Sequence, residues 1–149
     1  MTEYTKRRNV NRGYMKLEVW QEGMALLVLT HEILNKIDKI DFKLRGQLLD
    51  AVQSVSGNIA EGYCRKSVNE YLYFLNVALG SLGEALTRLI GLRVIHPITD
   101  EEFERFDKLH YSIENKMLAL IKSLQSKKAD NTWNQTLHEP ETNYPDTQS

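Results

Sequence analysis

Ser67-Val-Asn-Glu-Tyr-Leu-Tyr-Phe-Leu-Asn-Val-Ala-Leu-Gly-Ser-Leu-Gly-Glu-Ala-Leu-Thr-Arg-Leu89 is the stretch that decides the fold class. Ser67 and Glu70 stand in the S-x-x-E pattern, in which a serine hydroxyl and a glutamate carboxylate satisfy the free amides at a helix start. Behind them Tyr71, Phe74, Leu75, Ala78, Leu82, Leu86 and Leu89 recur at intervals that place them on one side of a 3.6-residue helix. The spacing predicts a helix that ends near Arg93, before His96-Pro97.

The pattern repeats on both sides. Thr99 with Glu102 is a second capping box, strengthened by Asp100 and Glu101 at the positive end of the helix dipole. Phe103, Phe106, His110, Ile113, Met117, Leu120 and Leu124 then form the stripe of a helix that closes on Lys122, Lys127 and Lys128. Upstream, Leu44, Leu48, Val52, Val55 and Ile59 mark a helix over about Phe42–Glu61, with Ala51, Ser54 and Gly57 on its flanking rows. Leu17, Trp20, Met24, Leu27, His31 and Leu34 mark another over about Leu17–Ile37. Short connections at 38–41, 62–66 and 95–98 suit antiparallel neighbours. The expected fold is all-α, an antiparallel up-down-up-down four-helix bundle spanning 17–128. A basic N-terminal arm (1–16) precedes it and a polar tail (129–149) follows, in which Trp133, Leu137 and Tyr144 are apolar enough to dock.

Nineteen basic against twenty acidic side chains leave a net charge of −1, so no global field draws the chain to polyanions and any such contact must be local. One cysteine, Cys64, excludes an internal disulfide and a thiolate metal site. No run of about 20 apolar residues suggests a membrane span and no secretory signal opens the chain, so a cytoplasmic setting is expected.

The motifs of catalysis are missing. There is no G-x-S-x-G elbow, no phosphate-cradling glycine loop, and Cys64 is expected in a loop away from any histidine. His31 and His110 both fall on helical stripes and are candidate metal ligands meeting across the core. Neither follows a glutamate by three residues as di-metal bundles require, so a bond to a backbone carbonyl or water is the expected role of each. No enzyme, cofactor or metal is therefore expected. Gly57, Gly80 and Gly83 lie inside helices, where each costs about 1 kcal/mol relative to alanine, and close helix approach is the expected compensation.

Two basic clusters are candidates for phosphate contact: Lys6, Arg7, Arg8 and Arg12 in the arm, and Arg65 and Lys66 before the third helix. Tyr63, Tyr71 and Tyr73 lie beside the second, placed either to stack on bases or to plug the end of the bundle. Asn58 and Glu61 are expected to bond the backbone of the following turn, with Gly62 as a left-handed cap. Glu84 is expected to pair with Arg88. Apolar residues off the main stripes, such as Leu26, Val28, Leu72, Val77 and Ile121, suggest patches that an oligomer would cover.

Ser54-Val-Ser-Gly-Asn-Ile-Ala-Glu-Gly62, Arg65-Lys-Ser67 and Glu70-Tyr-Leu-Tyr-Phe-Leu-Asn-Val-Ala-Leu-Gly-Ser-Leu-Gly-Glu84 together resemble the four-helix bundle proteins encoded in bacterial 23S rRNA intervening sequences. That family includes the Avd accessory proteins of diversity-generating retroelements. The opening Leu17-Glu-Val-Trp-Gln-Glu-Gly-Met24 is similar to the family's start, and the likeness extends to about Leu124. It implies a ring-shaped homopentamer without catalytic activity that, in the Avd branch, binds RNA and a reverse transcriptase. This chain departs from the family's basic pattern at Leu49-Asp50. Its expected function is a non-catalytic oligomeric adaptor for RNA, a reverse transcriptase or both, with Asn58, Glu61, Gly62 and Glu84 serving fold and assembly. The competing expectation is a protein-interaction bundle with no nucleic-acid role.

Overall fold

The structure is a computed structural model and describes residues 10–132. Among them are a 3-10 helix, Val10–Lys16, and four α-helices: α1 (Glu18–Asn35), α2 (Phe42–Cys64), α3 (Val68–Ile95) and α4 (Asp100–Ala129). No strand occurs among the described residues.

Local chemistry explains where three of the helices begin. Asp41 accepts the amides of Lys43 at 2.8 Å and Leu44 at 3.3 Å and so caps α2. Thr99 and Glu102 form both halves of their capping box, the Thr99 hydroxyl accepting the Glu102 amide and the Glu102 carboxylate accepting the Thr99 amide, each at 3.0 Å. At Ser67 only the serine half forms, because Glu70 turns its carboxylate to Arg65. Helix α1 has no side-chain cap; the 3-10 segment leads into it, and Gln21 donates back to the Met15 carbonyl at 2.8 Å.

Each helix packs on its neighbours in turn, α1 on α2, α2 on α3, α3 on α4 and α4 on α1, with α2 against α3 the most extensive contact. The enclosed core contains Leu26, Ile33, Leu48, Val52, Leu75, Leu82, Phe106 and Met117. The stripes predicted for α2, α3 and α4 are the faces that become buried.

The stripe predicted for α1 is right only in part. Trp20 and Leu34 are buried as expected, but the buried face also runs through Val19, Gly23, Leu26, Leu29, Thr30 and Ile33, whereas Met24 and Leu27 are half-buried and His31 is exposed. Met24 to Leu29 is an unbroken apolar run, so more than one phase fits the period and packing between two neighbours selects among them. Leu26 and Ile121, read as off-stripe residues, are accordingly buried, while Val28 is exposed.

The glycines depart from expectation as well. A Cβ at Gly57, Gly80 or Gly83 would meet nothing within 4 Å among the described residues, so the expected close helix approach does not occur there between the described helices. Close approach occurs at Gly23, where a Cβ would collide with the Ser56 hydroxyl, which itself donates to the Trp20 carbonyl at 3.1 Å. It occurs again at Gly62, where a Cβ would sit 2.8 Å from that of Phe74.

Candidate nucleic-acid interface

The residues that carry the candidate site gather where α2 turns into α3. Helix α2 runs past the expected Glu61 to Cys64, so Cys64 is a helical residue and not a loop one. Arg65 continues in right-handed backbone, and Lys66 then takes a positive φ of 57° before Ser67 caps α3. The left-handed residue is therefore Lys66 and not Gly62, which stays helical and is small because Tyr71 and Phe74 press against it. Asn58 and Glu61 do not bond the turn: Asn58 donates to the Ser54 carbonyl at 2.7 Å, and Glu61 lies 4.0 Å from Arg65.

Arg65 is heavily engaged. Its guanidinium sits 3.4 Å from Glu70 and 5.2 Å from the centre of the Phe74 ring. Lys66 forms no ion pair with the described residues, which leaves its ammonium the freer of the two cations for an external anion.

The 3-10 segment brings the root of the N-terminal arm to the same place. The Cys64 thiol donates to the Asn11 carbonyl at 3.3 Å, and Gly13 lies so tightly against the Tyr63 hydroxyl that no Cβ would fit. Tyr14 packs edge-on against Trp20 at 5.7 Å and Tyr63 at 6.1 Å, and Tyr63 meets Tyr71 at 5.8 Å. This ladder fixes the segment and sets exposed Arg12 beside the α2–α3 turn. Sequence reasoning missed the segment, although Gly13-Tyr14 ahead of Trp20 was a signal for an aromatic cluster with one tight approach. Lys6, Arg7 and Arg8 lie outside the described residues, as do Trp133, Leu137 and Tyr144.

The three tyrosines divide by burial. Tyr71 is buried and Tyr63 half-buried, and burial pushes both phenols above their ordinary range, so each stays neutral. They plug the core. Tyr73 is 62% exposed and lies edge-on to Phe74 at 5.1 Å, which makes it the one of the three able to stack on a base. Burial likewise raises the Cys64 thiol, against the opposing charge of Lys66, so this cysteine has no thiolate character to offer.

Elsewhere the polar groups are structural. His110 is buried, stacks beside Phe106 and donates from Nε2 to the Leu82 carbonyl at 2.7 Å, while exposed His31 contacts Asn35. The two histidines share no site, and no group of three or more metal-ligating side chains occurs among the described residues. Lys116 bridges α4 to Glu18 at 3.2 Å and to Glu22, and these hydrogen bonds, that to Glu22 foremost, raise its pKa. Glu84 pairs with Arg88 at 2.8 Å as expected, and Arg88 also donates to Gln47 at 2.9 Å. No described helix is long and apolar enough to cross a membrane.

A cation-bearing turn fixed by an aromatic ladder can hold a phosphate backbone, but geometry alone does not set its lineage. Residues 15–119 match the family model described as 23S rRNA-intervening sequence protein. The chain belongs to that family. The match takes in all of α1, α2 and α3 and most of α4, together with Arg65, Lys66 and the end of the 3-10 segment. As a 23S rRNA-intervening sequence protein it carries the four long helices expected from the resemblance, with Arg12 just ahead of the matched residues. No curated protein matches the chain.

Proposed function

We propose that this 23S rRNA-intervening sequence protein is a non-catalytic oligomeric adaptor that holds RNA, a reverse transcriptase or both, in the manner of the accessory variability proteins of diversity-generating retroelements. In this reading the helices run up-down-up-down, copies close into a ring-shaped homopentamer, and the protein works in the cytoplasm.

One observation carries the proposal. The 3-10 segment docks on the end of α2 through Asn11 and Tyr14 and so brings the backbone at Arg12 to the turn that carries Arg65 and Lys66, and Lys6-Arg7-Arg8 precede it in the sequence. Exposed Tyr73, one turn into α3, adds a stacking surface. The family's name supports RNA as the ligand, and the nearly neutral chain confines the attraction to this cluster.

The test is capture of the protein from cells with and without nuclease, with sequencing of bound RNA and identification of bound protein. Retained RNA that is lost on reversing Arg12 and Lys66 to glutamate supports the reading. Partners that survive nuclease and are indifferent to both substitutions overturn it in favour of a protein-only role.

A further inference from the structure

The α2–α3 turn is one part of a larger basic end. Helix α4 passes α3 with Phe103 beside Arg93 and His110 beside Leu82, so residues later in α4 meet residues earlier in α3. Carried on at that register, Leu124 comes level with Val68, and Ala129 lies about 7.5 Å beyond it at 1.5 Å per residue. The closing turns of α4 therefore stand beside the α2–α3 turn, about 10 Å away at the usual spacing of packed helices. They add exposed Lys122, Lys127 and Lys128 to half-buried Lys66. None of these lysines forms an ion pair among the described residues. The nearby carboxylates are engaged elsewhere, Glu61 and Glu70 with Arg65 and Glu18 with Lys116, which leaves Asp130.

What continues from this end has the opposite sign. Residues 133–149 hold Glu139, Glu141 and Asp146 and neither lysine nor arginine. They also hold Trp133 and Tyr144. Carboxylates spaced among aromatic rings offer a basic surface much the same chemistry as a single strand of RNA, with carboxylates in place of phosphates and rings in place of bases. Reach is sufficient: an extended chain spans about 3.3 Å per residue, so Glu139 can lie about 23 Å from Thr132 and Asp146 about 46 Å.

We propose that the acidic tail, residues 133–149, folds back onto the basic end formed by Lys66, Lys122, Lys127 and Lys128, and that RNA must displace it to bind. The inference rests on the RNA part of the proposed function and gives that site its regulation. The net charge of −1 is then the sum of a basic end and its own acidic cover. Exposed ion pairs are individually weak, but tethering raises the effective concentration of the tail to about 1 mM. A tail with an intrinsic affinity of about 0.1 mM is then docked most of the time and weakens a competing RNA about tenfold.

The experiment measures binding of a labelled oligouridylate to the full chain at low and high salt, together with amide spectra of the isotope-labelled protein without RNA. Wild type is compared with Glu139→Gln/Glu141→Gln/Asp146→Asn and with Glu101→Gln/Glu104→Gln/Asp107→Asn, which removes the same charge from the start of α4. The tail variant is expected to bind the RNA about tenfold more tightly than wild type at low salt, with the ratio shrinking at high salt and the α4-start variant gaining less. Neutralising the tail is also expected to move the amide signals of Lys66, Lys127 and Lys128. Unmoved signals overturn the inference, as does RNA binding in which the tail variant gains no more than the α4-start variant. If no variant binds RNA, moved signals uphold the tail contact while the adaptor reading falls, and unmoved signals remove both.

Discussion

Gly23 and Gly57 illustrate how one residue type takes opposite roles according to its surroundings. Gly23 faces the Ser56 hydroxyl with no room for a methyl group, whereas Gly57 faces open space. Gly23→Ala is therefore expected to lower stability by about 1–3 kcal/mol through overpacking, and Gly57→Ala to raise it by about 0.4–1 kcal/mol through reduced freedom of the unfolded chain. Denaturant midpoints of the two variants should move in opposite directions. Composition made both glycines look alike, because neither helix propensity nor spacing reveals which neighbour a position will face. His110 was more legible. A bond to a backbone carbonyl or water was its expected role, and the Leu82 carbonyl supplies the partner that a buried imidazole needs. His110→Leu is expected to cost about 1 kcal/mol for the lost hydrogen bond, with no change in metal content by elemental analysis.

Among the elements, α4 has the best-defined start. Glu102 is held below the usual carboxylate range, chiefly by the backbone hydrogen bond from Thr99, with further help from the Thr99 hydroxyl and Lys36 at 3.3 Å. A carboxyl whose folded pKa is depressed contributes stability that is complete above its unfolded value, here about 4.5, and is lost as pH falls through the folded value. Thr99→Ala is expected to cost about 0.5–2 kcal/mol near neutral pH, and less once Glu102 is protonated. Urea unfolding at neutral pH and below pH 4 would check both, since the wild type should approach the variant in acid. This cap was readable because its groups are three residues apart and act locally. The identical pattern at Ser67–Glu70 was only half right: a cation five residues before Glu70 in the chain competes for its carboxylate, and that competition exists only once the turn has folded. The phase of α1 was hidden for a similar reason, since an unbroken apolar run offers several equivalent stripes and only its two neighbours choose one.

At the scale of the molecule, the sequence marked the basic residues but not their meeting, because the segment that brings Arg12 to Lys66 is held by four aromatic rings drawn from distant parts of the chain. If RNA binds there, each cation that contacts a phosphate contributes about 0.7–0.9 to the slope of log affinity against log salt. Lys66→Ala should therefore flatten that slope by about one contact in a salt titration, while Arg65→Ala, whose guanidinium is already occupied by Glu70 and Phe74, should change it less. The left-handed backbone of Lys66 has a further consequence. A lysine held at φ 57° is strained where glycine would be at ease. Lys66→Gly should then relax the connection and toughen the fold while stripping a cation from the surface, so that durability and affinity, usually lost together in a damaged protein, would part company at a single position.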